Sequence, residues 1–193
     1  MQPALILALC LTAFQDPQPA TAVDVLADLI DTKPAEVVAS GTVTTEALGG
    51  GGFAWNYCQS SPNSFGTLAL IGYTGSLDLS HGSFGLMVNG CPPVASSFGM
   101  FTYGRDPYNT PFGNGYLCVS PFTSGIYHMT PQGLGTGAVA CSMLTHPAEF
   151  SLFQPGDSWN FQFWYRNPQA LSVGAPTTFN LSDALHVDFA PSL

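Results

Sequence analysis

The sequence predicts an all-β fold: an antiparallel β-sandwich or jelly-roll-like barrel of about ten short strands, stapled by two disulfides. Three observations carry that prediction. Only 8% of the 193 residues are charged and 46% are hydrophobic, with 21 Gly, 16 Pro and 14 Phe. This composition fits short strands between tight turns, and its aromatics set it apart from a disordered chain. Segment 158–167, SWNFQFWYRN, alternates with period two. Trp159, Phe161, Phe163 and Tyr165 share one face of an extended strand, and no other stretch carries as much apolar area. Finally, no convincing helix follows residue 50; short apolar runs recur between turn residues instead.

Residues 1–22 read as a secretory signal peptide. An apolar run at 4–14 is too short to span a bilayer, and Ala20-Thr21-Ala22 is an A-x-A cleavage pattern. The run has no Lys or Arg before it, which departs from the usual pattern. Residues 23–52 read as a flexible acidic leader ending in the hinge Gly49-Gly50-Gly51-Gly52, with pairing of 42–45 to a sheet edge as the alternative. Residues 53–193 form the single domain. From Phe53 onward six acids face Arg105 and Arg166 alone, so there is no basic patch to hold nucleic acid. The mature chain is expected to have no transmembrane segment and to be secreted or held at the cell surface.

Cleavage after Ala22 removes Cys10 and leaves Cys58, Cys91, Cys118 and Cys141. An even number in an exported chain argues for two disulfides, with three connectivities open. None of the cysteines forms a C-x-x-C pair, which disfavours zinc and thioredoxin-like chemistry.

The strands follow in order. Residues 53–58 alternate and lead to a turn at Ser61-Pro62-Asn63. The run 67–73 places Leu68 and Leu70 on one face. Residues 76–80 and 84–89 read as a hairpin across His81-Gly82, and 97–103 as a Phe-rich strand. Residues 105–114, dense in Pro, Asn and Gly, read as a loop. Further strands are expected at 116–121, 126–130, 137–144 and 149–153. The turn Gln154-Pro155-Gly156-Asp157 delivers the chain into 158–167, the central strand. A loop at 168–177 and a closing strand at 183–189 complete the sheet.

Chemistry-bearing patterns are sparse. Of the six acids after the leader none clusters in sequence, and hydrolysis by paired carboxylates needs two at a set separation. Gly82-Ser83-Phe84-Gly85 fails the spacing of a nucleophile elbow. His81, His128, His146 and His186 are far apart and build no metal motif. Asp106, Asn109 and Asn114 offer oxygens suited to calcium, but the same residues are ordinary turn formers. No catalytic residue, cofactor or metal is therefore assigned. Asn180-Leu181-Ser182 fits a glycosylation acceptor. The polar face of the central strand, Asn160, Gln162, Trp164 and Arg166, is the candidate ligand platform: one aromatic edged by planar hydrogen-bonding groups, suited to carbohydrate or to a cell-surface protein. The opposing reading covers Trp164 and makes Arg166 a structural partner of Asp157 or Asp183.

Four stretches together resemble a domain of unknown function that recurs in secreted, planctomycete-type bacterial proteins. They are Tyr57-Cys58 with Pro62-Asn63-Ser64, Phe112-Gly113-x-Gly115-Tyr116-x-Cys118-Val119, the tryptophan block from Gly156 to Arg166, and Phe179-Asn180-Leu181-Ser182-Asp183-Ala184-Leu185. The resemblance implies surface display or an accessory role and brings no catalytic residues. It also implies the pairing Cys58–Cys118, with Cys91 and Cys141 as added partners of each other. An exported, non-catalytic surface, adhesion or recognition domain is the function expected. A secreted hydrolase acting on polysaccharide or ester, and a structural cell-envelope component, are the alternatives.

Overall fold

A computed structural model describes residues 51–167 and 178–192. The signal peptide, nearly all of the leader and the 168–177 loop lie outside the described residues. The strands in chain order are β1 (Phe53–Tyr57), β2 (Leu70–Thr74), β3 (Gly85–Asn89), β4 (Phe98–Gly104), β5 (Pro107–Phe112) and β6 (Gly115–Val119). They continue as β7 (Tyr127–His128), β8 (Gln132–Gly133), β9 (Val139–Ser142), β10 (Ser158–Arg166) and β11 (Phe179–Asp188), with helix α1 at Pro147–Phe150.

Every strand pair is antiparallel. The main sheet runs β1-β11-β10-β4-β7, with β8 also on β4; β2-β3-β9 form a second sheet, and β5-β6 a separate hairpin. The tryptophan block is thus the middle strand of the main sheet. Its apolar stripe, Trp159, Phe161, Phe163 and Tyr165, is buried with Phe101 and Tyr103 of β4 and Leu185 and Val187 of β11. Phe84, Leu86 and Val88 join them from the second sheet's side. Phe84 stands 6.1 Å from the Phe161 ring and meets Phe189 edge-on at 4.9 Å. Full burial of each such ring is worth about 1.5–3 kcal/mol, so this layer is the main source of stability.

The strands depart from expectation in instructive places. At the entry to β2 it is Ala69 and Ile71 that point inward, while Leu68 and Leu70 are exposed. Ile71 is fixed in that register because its N–H donates to the buried Asp183 carboxylate at 2.8 Å. Residues 76–80 form no hairpin with β3. Asp78 accepts from Ser80 N–H and caps a 3-10 turn at Leu79–His81, so β3 pairs with β2 and β9 instead. The predicted loop at 105–114 is mostly β5. Its prolines sit in a two-stranded ribbon, where a missing N–H costs little, and the hairpin turns through Gly113 at φ 63°. The predicted strand at 149–153 is replaced by α1, whose first turn holds Pro147.

Among the described residues one disulfide is present, not two. Cys58 and Cys118 are bonded, with Cα atoms 6.2 Å apart. Cys91 and Cys141 are both free and buried. Strand register explains the correction. Cys141 lies opposite Leu86 in the β3–β9 ladder, whereas Cys91 N–H donates to Gly137 O in the bend before β9 begins. The Cys91 backbone is thus docked four residues upstream of Cys141 in the chain and not opposite it, and a bridge needs the two Cα atoms within about 7 Å. Burial pushes both thiols up to about 12, so they behave as small apolar side chains.

Candidate functional site

The polar face of β10 is divided by what lies over it. Asn160 and Gln162 are 0% exposed. The β5–β6 hairpin covers this part of the sheet, fastened by Gln162. Its side-chain amide donates to Tyr116 O and Ser182 O, both at 2.8 Å, and its carbonyl accepts from Cys118 N–H at 2.9 Å. The Tyr57 hydroxyl donates to Cys118 O at 2.7 Å, and the disulfide adds a covalent tie beside it. Asn160 donates to Arg105 O at 2.8 Å. These two members of the expected platform are therefore fastenings inside the fold and meet no ligand. The reason is that the alternating polar residues face another layer of the same chain.

Trp164 and Arg166, beyond the hairpin, remain accessible: Trp164 is half-buried and Arg166 exposed. The register brings aromatics from three other strands to them. Trp164 lies 5.9 Å from Phe98 of β4 and 5.7 Å from Phe179 of β11, and Phe112 of β5 lies 5.2 Å from Phe179. The Arg166 guanidinium is 5.8 Å from both the Phe98 and Trp164 rings, and its Nη1 donates to Thr178 Oγ1 at 2.9 Å. Asp157 takes Arg105, not Arg166, at 2.9 Å. The result is a row Phe98–Trp164–Phe179–Phe112 edged by one cation. Sequence reading missed Phe98, Phe112 and Phe179, because only register places residues from four strands in one row.

The other candidates resolve into structure. Asp106 precedes β5 and Asn114 lies in the turn after it, so the six residues of that strand, roughly 20 Å, hold the two apart. Among the described residues no three His, Cys, Asp or Glu side chains gather as metal ligands. Asn180, the would-be glycosylation acceptor, is 0% exposed and donates to Ser61 O and Pro62 O. Ser158, His186 and Asp188 meet, yet not as a nucleophile and base. Ser158 donates to Asp188 at 2.5 Å, and both His186 nitrogens face oxygens, those of Asn160 at 2.9 Å and Asp188 at 3.1 Å. No ring nitrogen is open to take the serine proton.

Among the described residues Asp183 is the one carboxylate shifted strongly upward. β11 bulges opposite Phe163, and the Ser182 hydroxyl supplies the acceptor for Phe163 N–H. Asp183 then reaches across to accept from Ile71 N–H and Asn56 Nδ2, each at 2.8 Å. Desolvation raises its pKa from 3.8 to about 6, against the lowering effect of those two hydrogen bonds. Folding therefore favours its protonated form. That contribution is complete below about pH 4 and is lost as the pH rises through 6. Moving from pH 7 to pH 5 should raise the unfolding free energy by about 1 kcal/mol. Denaturant titrations at the two pH values measure this, and Asp183→Asn should abolish the difference. Asp157, held low by its hydrogen bond to Arg105, opposes the trend only in stronger acid.

Comparison with protein-family models, with curated proteins and with solved structures finds no match for this chain. No described helix is long and apolar enough to cross a membrane.

Proposed function

We propose that this is an exported, non-catalytic recognition domain that binds carbohydrate along the Phe98–Trp164–Phe179–Phe112 row. In this reading the domain is a β-sandwich: residues of the β2-β3-β9 sheet share one core with the main sheet, and among the described residues neither β1 nor β7 pairs to close a barrel. The disulfide supports an oxidising compartment, and with it a secreted or surface-held location. The likeness to the secreted bacterial domain supports the same assignment.

The observation that carries the binding role is the accessible aromatic row beside the Arg166 guanidinium. Sugar rings present an apolar C–H face and a rim of hydroxyls. Flat side chains take the first and a planar cation takes the second. A cell-surface glycoprotein would present the same chemistry. Trp164→Ala is expected to weaken binding on a glycan array about tenfold, as loss of a principal stacking residue should. Arg166→Gln, at an exposed position, should weaken binding severalfold while leaving thermal unfolding unchanged. Undiminished binding by both variants would overturn the assignment. So would unfolding of the Trp164 variant together with full binding by Arg166→Gln.

A further inference from the structure

The hairpin leaves the opposite end of the same sheet face uncovered. Three cross-strand rows define that end. Phe53, Asp188 and Ser158 are register partners, as are Trp55, His186 and Asn160, followed by Tyr57, Ala184 and Gln162. The third row lies under the hairpin, through the Tyr57 and Gln162 hydrogen bonds to β6. In the second row Asn160 is buried beneath the Arg105 backbone. What stays accessible is a ledge of five residues: Phe53, Trp55, His186, Asp188 and Ser158.

The ledge is half aromatic and half polar. Phe53 and Trp55 are 51% and 41% exposed, with ring centroids 5.2 Å apart. The His186 ring lies tilted against Trp55, with centroids 4.0 Å apart, and is pinned by Asn160 and Asp188. The imidazole thereby fixes the indole. Ser158 and His186 both engage Oδ1 of Asp188, and among the described residues Oδ2 has no hydrogen-bond partner, which makes it an acceptor beside the aromatics. We infer that this ledge is a second carbohydrate subsite, which takes a neutral sugar ring across Trp55 with its hydroxyls donating to Asp188. The inference rests on the recognition reading above.

Charge and polarity select the ligand. From Phe53 onward six acids face only two arginines, and with Asp188 at the centre of the ledge the domain disfavours acidic sugars and further copies of itself. A purely apolar partner would strand the Asp188 oxygen without a donor. The two subsites are separate. From Asn160 to Trp164 is about 13 Å along β10, and β1 lies two strand spacings, about 10 Å, to the side. The hairpin stands between them, so one ring cannot occupy both.

The chain has three tryptophans, and each reports on a different place: Trp55 on the ledge, Trp164 on the aromatic row, Trp159 on the core. Indole N–H resonances of the full chain can therefore be followed while maltotriose, cellotriose, xylotriose and mannotriose are added in turn, with a sulfated trisaccharide as the acidic control. At least one neutral sugar should shift the Trp55 resonance in both the parent and Trp164→Ala, while Trp159 stays still. Trp55→Ala should weaken that ligand about tenfold at the ledge, followed on Asp188 and His186 backbone amides. Asp188→Asn, which keeps the shape, should weaken it severalfold. A stationary Trp55 with a moving Trp164 would overturn the ledge and leave the aromatic row standing; the converse would spare the ledge alone. A Trp55 resonance that no neutral sugar moves at millimolar concentration, or that moves only with protein concentration, would overturn it outright. The second result would assign the ledge to a second copy of the chain.

Discussion

Replacing Cys58 and Cys118 with serine is expected to lower the unfolding free energy by about 4 kcal/mol. The bridge spans a sequence separation of 60, and closing a loop of that size removes roughly that much entropy from the unfolded chain. For a domain with an ordinary margin of 5–15 kcal/mol, the loss is a large share of the total. Cys58 adds a second effect. It is the one described non-glycine residue with positive φ, at 67°, a conformation that disfavours a side chain. Cys58→Gly with Cys118→Ala should therefore recover about 1 kcal/mol relative to the serine pair. Urea titration of the variants measures both numbers. A loss below 1 kcal/mol in the serine pair would mean that the hairpin is held by its non-covalent contacts alone.

Gln162→Leu is expected to cost about 3 kcal/mol or more, although leucine is a common residue in central strands. The substitution leaves Cys118 N–H, Tyr116 C=O and Ser182 C=O without the buried amide that serves them, and each orphaned group costs about 1–3 kcal/mol. The damage should localise. Amide exchange at Cys118 should accelerate sharply, while Phe101 and Phe163 in the core stay protected. Because Gln162 and the disulfide both act at Cys118, losing both should cost less than their sum. Unchanged stability in Gln162→Leu would mean that water replaces the amide, and that the hairpin rides loosely on the sheet.

The same residue shows where the sequence was legible. The stripe from Trp159 to Tyr165 declared a central strand because its alternation and bulk leave no other way to bury it. The antiparallel all-β class followed from that stripe and the turn residues around it. Across the strand, Gln162 and Asn160 have the pattern of a solvent face. Alternation reports polarity and does not report what covers it, and here the cover is a hairpin more than forty residues away. Pro107 and Pro111 concealed that hairpin by imitating a loop. The pairing expected for Cys91 and Cys141 failed for a related reason, since their distance is set by the β3–β9 register. The candidate site was half legible. Trp164 and Arg166 stood out, but Phe98, Phe112 and Phe179 are isolated in the sequence and become neighbours only through the sheet. The polar residues of the four quoted stretches, Asn63, Gln162, Asn180, Ser182 and Asp183, hold backbone in place. The same stretches also carry Phe112, Trp164 and Phe179 of the aromatic row, whereas Phe98, Phe53 and Trp55 lie outside them.

Phe53 and Asp188 are register partners, so the domain's two chain ends leave side by side from one end of the β1–β11 ladder. A pull on both ends would load that ladder in peeling geometry, breaking its bonds one after another instead of all together. The tear would run five residue pairs, from Phe53 to Tyr57, and then reach Cys58. There the load passes to a covalent bond. The bridge takes the 60-residue separation out of the extensible length, about 200 Å of contour. A domain tethered at both ends would thus yield early by one strand and then resist, with the disulfide as its mechanical stop.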